Sequence, residues 1–296
     1  MILDKLASPI LFKGDEYTAY RDPAVIYHQG VFYLYFTLVK TIPGEGVFLH
    51  LAMSKSSDLI NFSPIRLLTP KDKSLNYSSP GNVIRFNSKW YICFQTYPRQ
   101  NGEKFGNSDA RIWTMCSDDL ENWSSPKILK VKGPEVPVEE MGRMIDPYLL
   151  EDKDIPGKWW CFYKQNGVSI SCSDDLENWT YYDHSEAGEN VCVIINNNEY
   201  ILFHSPENGI GVMSSKDLKK WNNSPEIITL GQDKWDWAKG RLTAGFVLDC
   251  RAEENIGKYL MFFHGTGPEN EEIIFDTHAC IGIAWSDDLK TWNWPC

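Results

Sequence analysis

The sequence predicts an all-β protein: a five-bladed β-propeller with four antiparallel strands per blade, spanning residues 1–296 as a single domain. Three observations carry this. A short phrase recurs five times, a strand-turn-strand pattern precedes each copy, and a 3.6-residue helical period is almost absent. The recurring phrase is "SKSSDLINF", "CSDDLENW" twice, "SSKDLKKW" and "WSDDLKTW". Its Asp-Leu pairs fall at Asp58-Leu59, Asp119-Leu120, Asp175-Leu176, Asp217-Leu218 and Asp288-Leu289, with an aromatic three residues on at Phe62, Trp123, Trp179, Trp221 and Trp292. Five copies are too many for one active site. The spacing suits a tight Ser/Asp turn that folds Leu and Trp back onto an apolar surface.

The hairpins come next. "DPAVIYHQGVFYLYFT", "SPGNVIRFNSKWYICFQT", "DPYLLEDKDIPGKWWCFYKQ", "ENVCVIINNNEYILFHS" and "AGFVLDCRAEENIGKYLMFFHG" each read as strand, polar turn and aromatic-rich strand, with the Gly and Asn that tight turns need. A third strand then leads into the Asp-Leu turn, as in "GVSISCSDDL", and a fourth follows it, as in "SSPKILKV" and "SPEIITL". The intervals between Asp-Leu pairs vary because loops differ in length, and the longer loops are expected to shape one face.

Composition narrows the classes. With 43% hydrophobic and 14% aromatic residues the chain is folded and soluble rather than disordered. No apolar run reaches the roughly 20 residues of a membrane helix, and "MILDKLASPILFKGD" lacks a secretory cleavage pattern. The expected location is the cytoplasm, or the periplasm or exterior if a leader has been removed. A net charge of −11 without a basic stripe argues against nucleic acid. Eight cysteines, Cys296 the last, show no C-x-x-C pair and read as buried thiols in a reducing compartment. The oligomeric state is left open.

In a propeller the first strand of each blade lines the central channel, so equivalent strand starts converge on one funnel. Aligned by pattern, those positions are Asp22, Ser79, Asp146, Glu189 and Thr243. The second strand runs back to the same face, bringing Thr37, Gln95, Gln165, His204 and His264 beside the funnel. Arg21, Arg143 and Arg241 lie within three residues of the strand starts. Each carboxylate alone could be a turn cap or a solvated charge. Their convergence is what points to chemistry.

"RDPAVIYHQGVFYLYF", "RMIDPYLLEDKDIPGKWWCFYK" and "GENVCVIINNNEYILFHS", together with the "SDDLENW" turns, resemble the catalytic blades of glycoside hydrolase family 43, which includes arabinanases, arabinofuranosidases and β-xylosidases. The resemblance implies hydrolysis of a glycosidic bond with inversion, Asp22 as base, Asp146 as orienting acid and Glu189 as proton donor, with Glu186 a nearby competitor. A retaining relative would use the first-blade Asp as nucleophile instead. The implied partner is an oligosaccharide or glycoside, bound by Arg21, Ser79, Arg143, Gln165, His204, Arg241, His264 and Trp237, with Trp235 and Tyr20 as further stacking candidates. No cofactor is required. The Trp-Ala-Pro-Asp phrase and the blade-five histidine associated with a central ion in the family are replaced here by Ser78–Asn82 and Leu242–Gly245, which counts against a central calcium. Two other classes fit the residues less well: a phosphorylase, with the arginines holding phosphate, and a non-catalytic carbohydrate- or protein-binding propeller.

Overall fold

The computed structural model describes residues 1–295; Cys296 lies outside the described residues. Five sheets of antiparallel strands form the five blades. Blade 1 runs Thr18–His28, Val31–Ile42, Gly46–Ser56 and Arg66–Leu67 from channel to rim. In blade 2 the inner strand is split into Tyr77–Ser78 and Val83–Phe86, both paired with Lys89–Thr96, and the outer strands are Ile112–Ser117 and Lys127–Ile128. Blade 3 is Ile145–Glu151, Trp159–Lys164, Val168–Ser173 and Thr180–Ser185, and blade 4 is Glu189–Asn196, Glu199–Ser205, Gly211–Ser215 and Asn222–Asn223. Of "SPEIITL", read above as the fourth strand of blade 4, only Ile228 makes a bridge, to Ile210.

Blade 5 closes the ring. Its strands Arg241–Cys250, Lys258–Thr266 and Cys280–Ser286 present one outer edge that is shared by Ile10–Phe12 and Trp292–Asn293. Segments near the two ends of the chain thus meet on one strand, so an edge that would invite pairing elsewhere is covered. The three-residue strand Ile10–Phe12 is too short to read from sequence. Phe12 packs within 4.7–5.4 Å of Phe62, Phe36 and Tyr20, which makes Tyr20 part of the blade interior rather than a sugar platform.

The repeated turns are structural, as the pattern predicts. In each, the Leu sits in the left-handed region, with φ between 60° and 66° at Leu59, Leu120, Leu176, Leu218 and Leu289. The strain is held by a local network. Ser117 Oγ accepts the Asp119 and Leu120 N–H groups and donates to Asp119 Oδ1, which also accepts the N–H groups of Glu121 and Asn122. That conformation turns the Leu inward, and Trp179 follows it to 1% exposure.

A second repeat lies at the axis. Every inner strand breaks its pairing at a two-residue bulge: between Arg21 and Ala24, Ile145 and Tyr148, Glu189 and Cys192, and Thr243 and Phe246, and at the split in blade 2. The first bulge residue is left-handed in all five blades: Asp22, Ser79, Asp146, Asn190 and Ala244, φ 42–53°. Five strands crowd there, and a glycine is needed where they meet. A Cβ on Gly81 would lie 1.6 Å from the Pro147 carbonyl oxygen and 2.8 Å from Cys93 Sγ. Gly81→Ala must therefore push blades 2 and 3 apart. The expected cost is about 4 kcal/mol or more, a fall of about 8–16 °C in Tm, measured by thermal unfolding; an unchanged Tm would show that the axis can relax.

Candidate active site

The bulges build the site. At a bulge, two successive side chains are aimed the same way instead of alternating. Arg21 and Asp22, Ser78 and Ser79, Ile145 and Asp146, and Glu189 and Asn190 accordingly all line one cavity of about 230 Å³ at the top of the channel. Below it the channel narrows to a space of about 20 Å³ between the bulge residues.

The register corrects the alignment read from sequence. The pairs that precede each bulge are Arg21 with Thr37, Ser78 with Gln95, Ile145 with Lys164, Glu189 with Ser205, and Thr243 with His264. Glu189 is therefore the counterpart of Arg21, not of Asp22, and Thr243 is likewise one residue early. Gln165 and His204 are each one residue out of register, with Lys164 and Ser205 in their places. For Glu189, Thr243 and His204 the reason is local: Asp-Pro and Ser-Pro mark the bulge in blades 1 to 3, whereas blades 4 and 5 place Asn190-Val191 and Ala244-Gly245 there.

Each bulge N–H is caught by the neighbouring blade. Asp22 N–H donates to His264 Nδ1 at 3.2 Å, Ser79 N–H to Thr37 Oγ1 at 2.7 Å, Asp146 N–H to Gln95 Oε1 at 2.6 Å and Ala244 N–H to Ser205 Oγ at 2.8 Å. Asn190 N–H instead donates to the Asp146 carboxylate, Oδ2, at 3.2 Å. Asp22 Oδ2 accepts two hydroxyls, Thr37 Oγ1 at 2.9 Å and Ser79 Oγ at 3.1 Å. Ser79 thus holds Asp22 as well as lining the cavity.

Of the remaining sequence candidates, Arg21, Arg143 and Arg241 line the cavity. Gln165 does not; its Nε2 donates to the carbonyls of Met141 and Arg143 and fixes the loop that carries Arg143. His204 is buried away from the cavity and accepts the Gly188 N–H at Nδ1, while burial first and Lys164 second lower its pKa to about 4. His264 is 1% exposed and lies behind the wall. Trp237 stacks on Trp235 and Phe263 within blade 5, so neither tryptophan is a sugar platform. Glu186 has an exposed side chain near His184 and does not reach the cavity.

Sequence reasoning missed Glu271, the most connected charge of the site. It is 1% exposed, pairs with Arg21 Nη2 at 2.8 Å and Arg241 Nη1 at 2.6 Å, and accepts a hydrogen bond at 3.2 Å from His264 Nε2, the nitrogen left protonated when Nδ1 accepts from Asp22. Burial raises its pKa, but Arg21, His264 and Arg241 together outweigh that and hold it well below the usual carboxylate range. It sits in "GTGPENEEIIFDTH", a loop without strand pattern that also supplies Phe275 and Asp276 to the cavity wall. That loop is tied to blade 2: Arg99 grips Asp276 through two bonds of 2.6 and 2.7 Å, and Phe105 meets Phe275 edge-on at 5.1 Å. Arg21 donates to the Phe275 carbonyl at 2.7 Å and lies 4.1 Å over its ring.

Asp146 is the carboxyl whose proton is held. Burial first, then the charges of Glu189 and Asp22, raise its pKa to about 7, against which the Asn190 N–H and Arg143 act only in part.

A five-bladed propeller with a polar funnel and three carboxyl side chains on its wall has the groups that cleavage of a glycosidic bond needs. The chain belongs to glycosyl hydrolases family 43, whose profile matches residues 17–173, more than half of its length. The matched span contains Asp22 and Asp146 and ends before Glu189. No curated protein matches the chain. Among solved structures it is similar to an exo-1,5-alpha-L-arabinanase from a bovine ruminal metagenomic library, at 15% identity and a TM-score of 0.62 over 92% of this chain and 94% of that one. It is also similar to the catalytic domain of a GH62 alpha-L-arabinofuranosidase of Coprinopsis cinerea (14%, 0.64, 91% of each chain) and to the RS223 beta-xylosidase (13%, 0.64, 94% and 95%). At these identities the likeness is one of fold. The substrate of this glycoside hydrolase is a carbohydrate.

The Asp146 shift has a consequence for stability. Between about pH 4 and pH 7 the folded protein holds a proton on Asp146 that the unfolded chain has lost, so stability falls as pH rises through that window. Asp146→Asn removes this cost. Its Tm relative to the native chain should rise between pH 4.5 and pH 8 by the equivalent of a few kcal/mol; the same difference at both values would mean that Asp146 is ionised in the fold.

Proposed function

We propose that the protein hydrolyses a glycosidic bond at the funnel with inversion of the anomeric centre, Asp22 activating water, Glu189 protonating the departing oxygen and Asp146 orienting and sharing that proton. The observation that carries this is the presence of all three carboxyl side chains, and not Glu186, on the wall of one cavity. An inverting hydrolase needs a carboxylate for the water and a carboxylic acid for the leaving group, acting across the sugar ring. Asp22 has the orientation for a base, with one oxygen fixed by two hydroxyls and the other carboxylate oxygen left for water. Burial, with the Glu189 and Asp22 charges beside it, raises the Asp146 pKa to about 7, so Asp146 carries a proton near neutral pH next to Glu189. No step runs through a metal. His264 has Nδ1 engaged by the Asp22 N–H and Nε2 by Glu271, so both ring nitrogens are taken within the protein.

The cavity is smaller than the roughly 300–1,000 Å³ of drug-sized sites, and its walls are raised by the loops that carry Phe105 and Phe275. This supports removal of a single terminal sugar. The structures similar in fold, described as an arabinanase, an arabinofuranosidase and a xylosidase, make α-L-arabinofuranosides and β-D-xylosides the first glycosides to test.

Asp22→Asn should lower kcat/KM by about 10²–10⁴-fold, the usual worth of a positioned general base. Product trapped early and read by proton NMR should carry the anomeric configuration opposite to the substrate; retention would make Asp22 a nucleophile and overturn the inverting assignment. Glu189→Gln should depress turnover of alkyl glycosides far more than that of activated aryl glycosides, because only the former need protonation of the leaving oxygen. If both fall equally, Glu189 is not the acid. Ionisation of Asp146 should also lower kcat/KM as pH rises through about 7.

A further inference from the structure

The arginines of the cavity are not all accounted for by the protein. Arg21 is engaged by Glu271 and the Phe275 carbonyl. Arg241 shares the same Glu271 carboxylate, so two guanidinium groups divide one carboxylate between them. Arg99 and Asp276 cancel each other. Arg143 has no carboxylate partner among the described residues; its one hydrogen bond, Nε to the Gly106 carbonyl, is long at 3.4 Å, and its two terminal nitrogens donate to no protein acceptor. Arg241 Nε is buried without any acceptor. With Arg143 on the cavity wall, its open donors point to a ligand that supplies the acceptors.

We propose that the terminal sugar taken by this site carries a carboxylate, as a uronic acid does, and that Arg143 and Arg241 bind it. The claim deepens the hydrolase reading of the same funnel and rests on it. A neutral sugar could meet these donors only with separate hydroxyls. The planar, forked guanidinium matches a carboxylate with two parallel bonds. Arg143 reaches the cavity on the loop just ahead of Asp146, held there by Gln165 through the Arg143 carbonyl, and Arg241 is fixed by Glu271. Both cations are therefore positioned before any ligand arrives.

The test uses the full chain with 4-nitrophenyl glycosides in matched pairs: β-D-glucuronide against β-D-glucoside, and α- and β-D-galacturonide against the corresponding galactosides. α-L-Arabinofuranoside and β-D-xyloside are run beside them, with and without inorganic phosphate. Free D-glucuronate, D-galacturonate, D-glucose and D-galactose serve as calorimetric probes. The expected result is an acidic member preferred over its neutral partner by about tenfold or more in kcat/KM. Arg143→Ala should cut that preference by about 10- to 100-fold, mainly through KM, the worth of a charge-assisted hydrogen bond, and Arg143→Lys should restore part of it. Calorimetry on the native chain should show uronate bound more tightly than the neutral sugar, whatever the variants do. Cleavage of the neutral member in preference overturns the acidic sugar and leaves the hydrolase intact. Uronate binding without cleavage of any glycoside leaves the acidic-sugar site standing and removes the hydrolase. Turnover only with inorganic phosphate, releasing a sugar 1-phosphate, assigns the guanidinium groups to phosphate and overturns the acidic sugar.

Discussion

The capture of each bulge N–H by the neighbouring blade is the interaction on which the rest of the structure depends. A non-glycine residue in the left-handed region costs about 1–2 kcal/mol, and this chain holds five of them side by side around its axis. Such a conformation survives only where its surroundings impose it. Here the imposition is mutual: the N–H that the turned backbone exposes is taken by a side chain of the adjacent blade, and that bond stitches the blades into a ring. The same turn aims two successive side chains at the channel mouth. Ring closure and a polar funnel are thus one geometric event. Thr37 shows both at once, accepting the Ser79 N–H while donating its own hydroxyl to Asp22.

Electrostatics is layered on that frame. Glu271 lies behind the wall and is compensated by two arginines and a histidine, whose Nδ1 receives the Asp22 N–H. A buried carboxylate this well paired stays ionised, whereas Asp146, buried with two acids for neighbours, keeps its proton. Burial acts in the same direction on both. The neighbours decide the outcome, and they do so over the span of one small cavity.

Much of this was legible in the residues, and what was not has physical causes. The Ser-x-Asp-Leu turns repeat because each is held by bonds within a few residues, so the pattern survives in sequence. Asp22 and Asp146 were legible because a proline follows each as the second bulge residue and marks the position. In blades 4 and 5 nothing marks it, and the register slipped by one, displacing Glu189, Thr243 and His204; Gln165 lies one residue past Lys164 on the second strand of blade 3, which carries no such mark. Trp237 was misplaced because an aromatic side chain in a strand-rich chain serves blade interior and sugar face with the same sequence signature. Glu271 was invisible for a different reason: its partners, Arg21 and Arg241, belong to different blades, and no local pattern announces a carboxylate whose role depends on ring closure.

Blade 3 explains why Asp146 differs from Asp22. Around the ring, the residue that takes the next blade's N–H is Thr37, Gln95, Ser205 or His264, each with an acceptor atom. The residue in register on blade 3 is Lys164, and an ammonium group has donors and no acceptor. The Asn190 N–H therefore turns to the nearest oxygen available, Oδ2 of Asp146. Asp146 becomes at once the bulge residue of its own blade and the acceptor for the next, which draws its carboxyl toward Glu189, the neighbour of Asn190 in sequence. Burial is the first cause of the raised Asp146 pKa, and the Glu189 repulsion that adds to it follows from a single position where the ring lacks an acceptor.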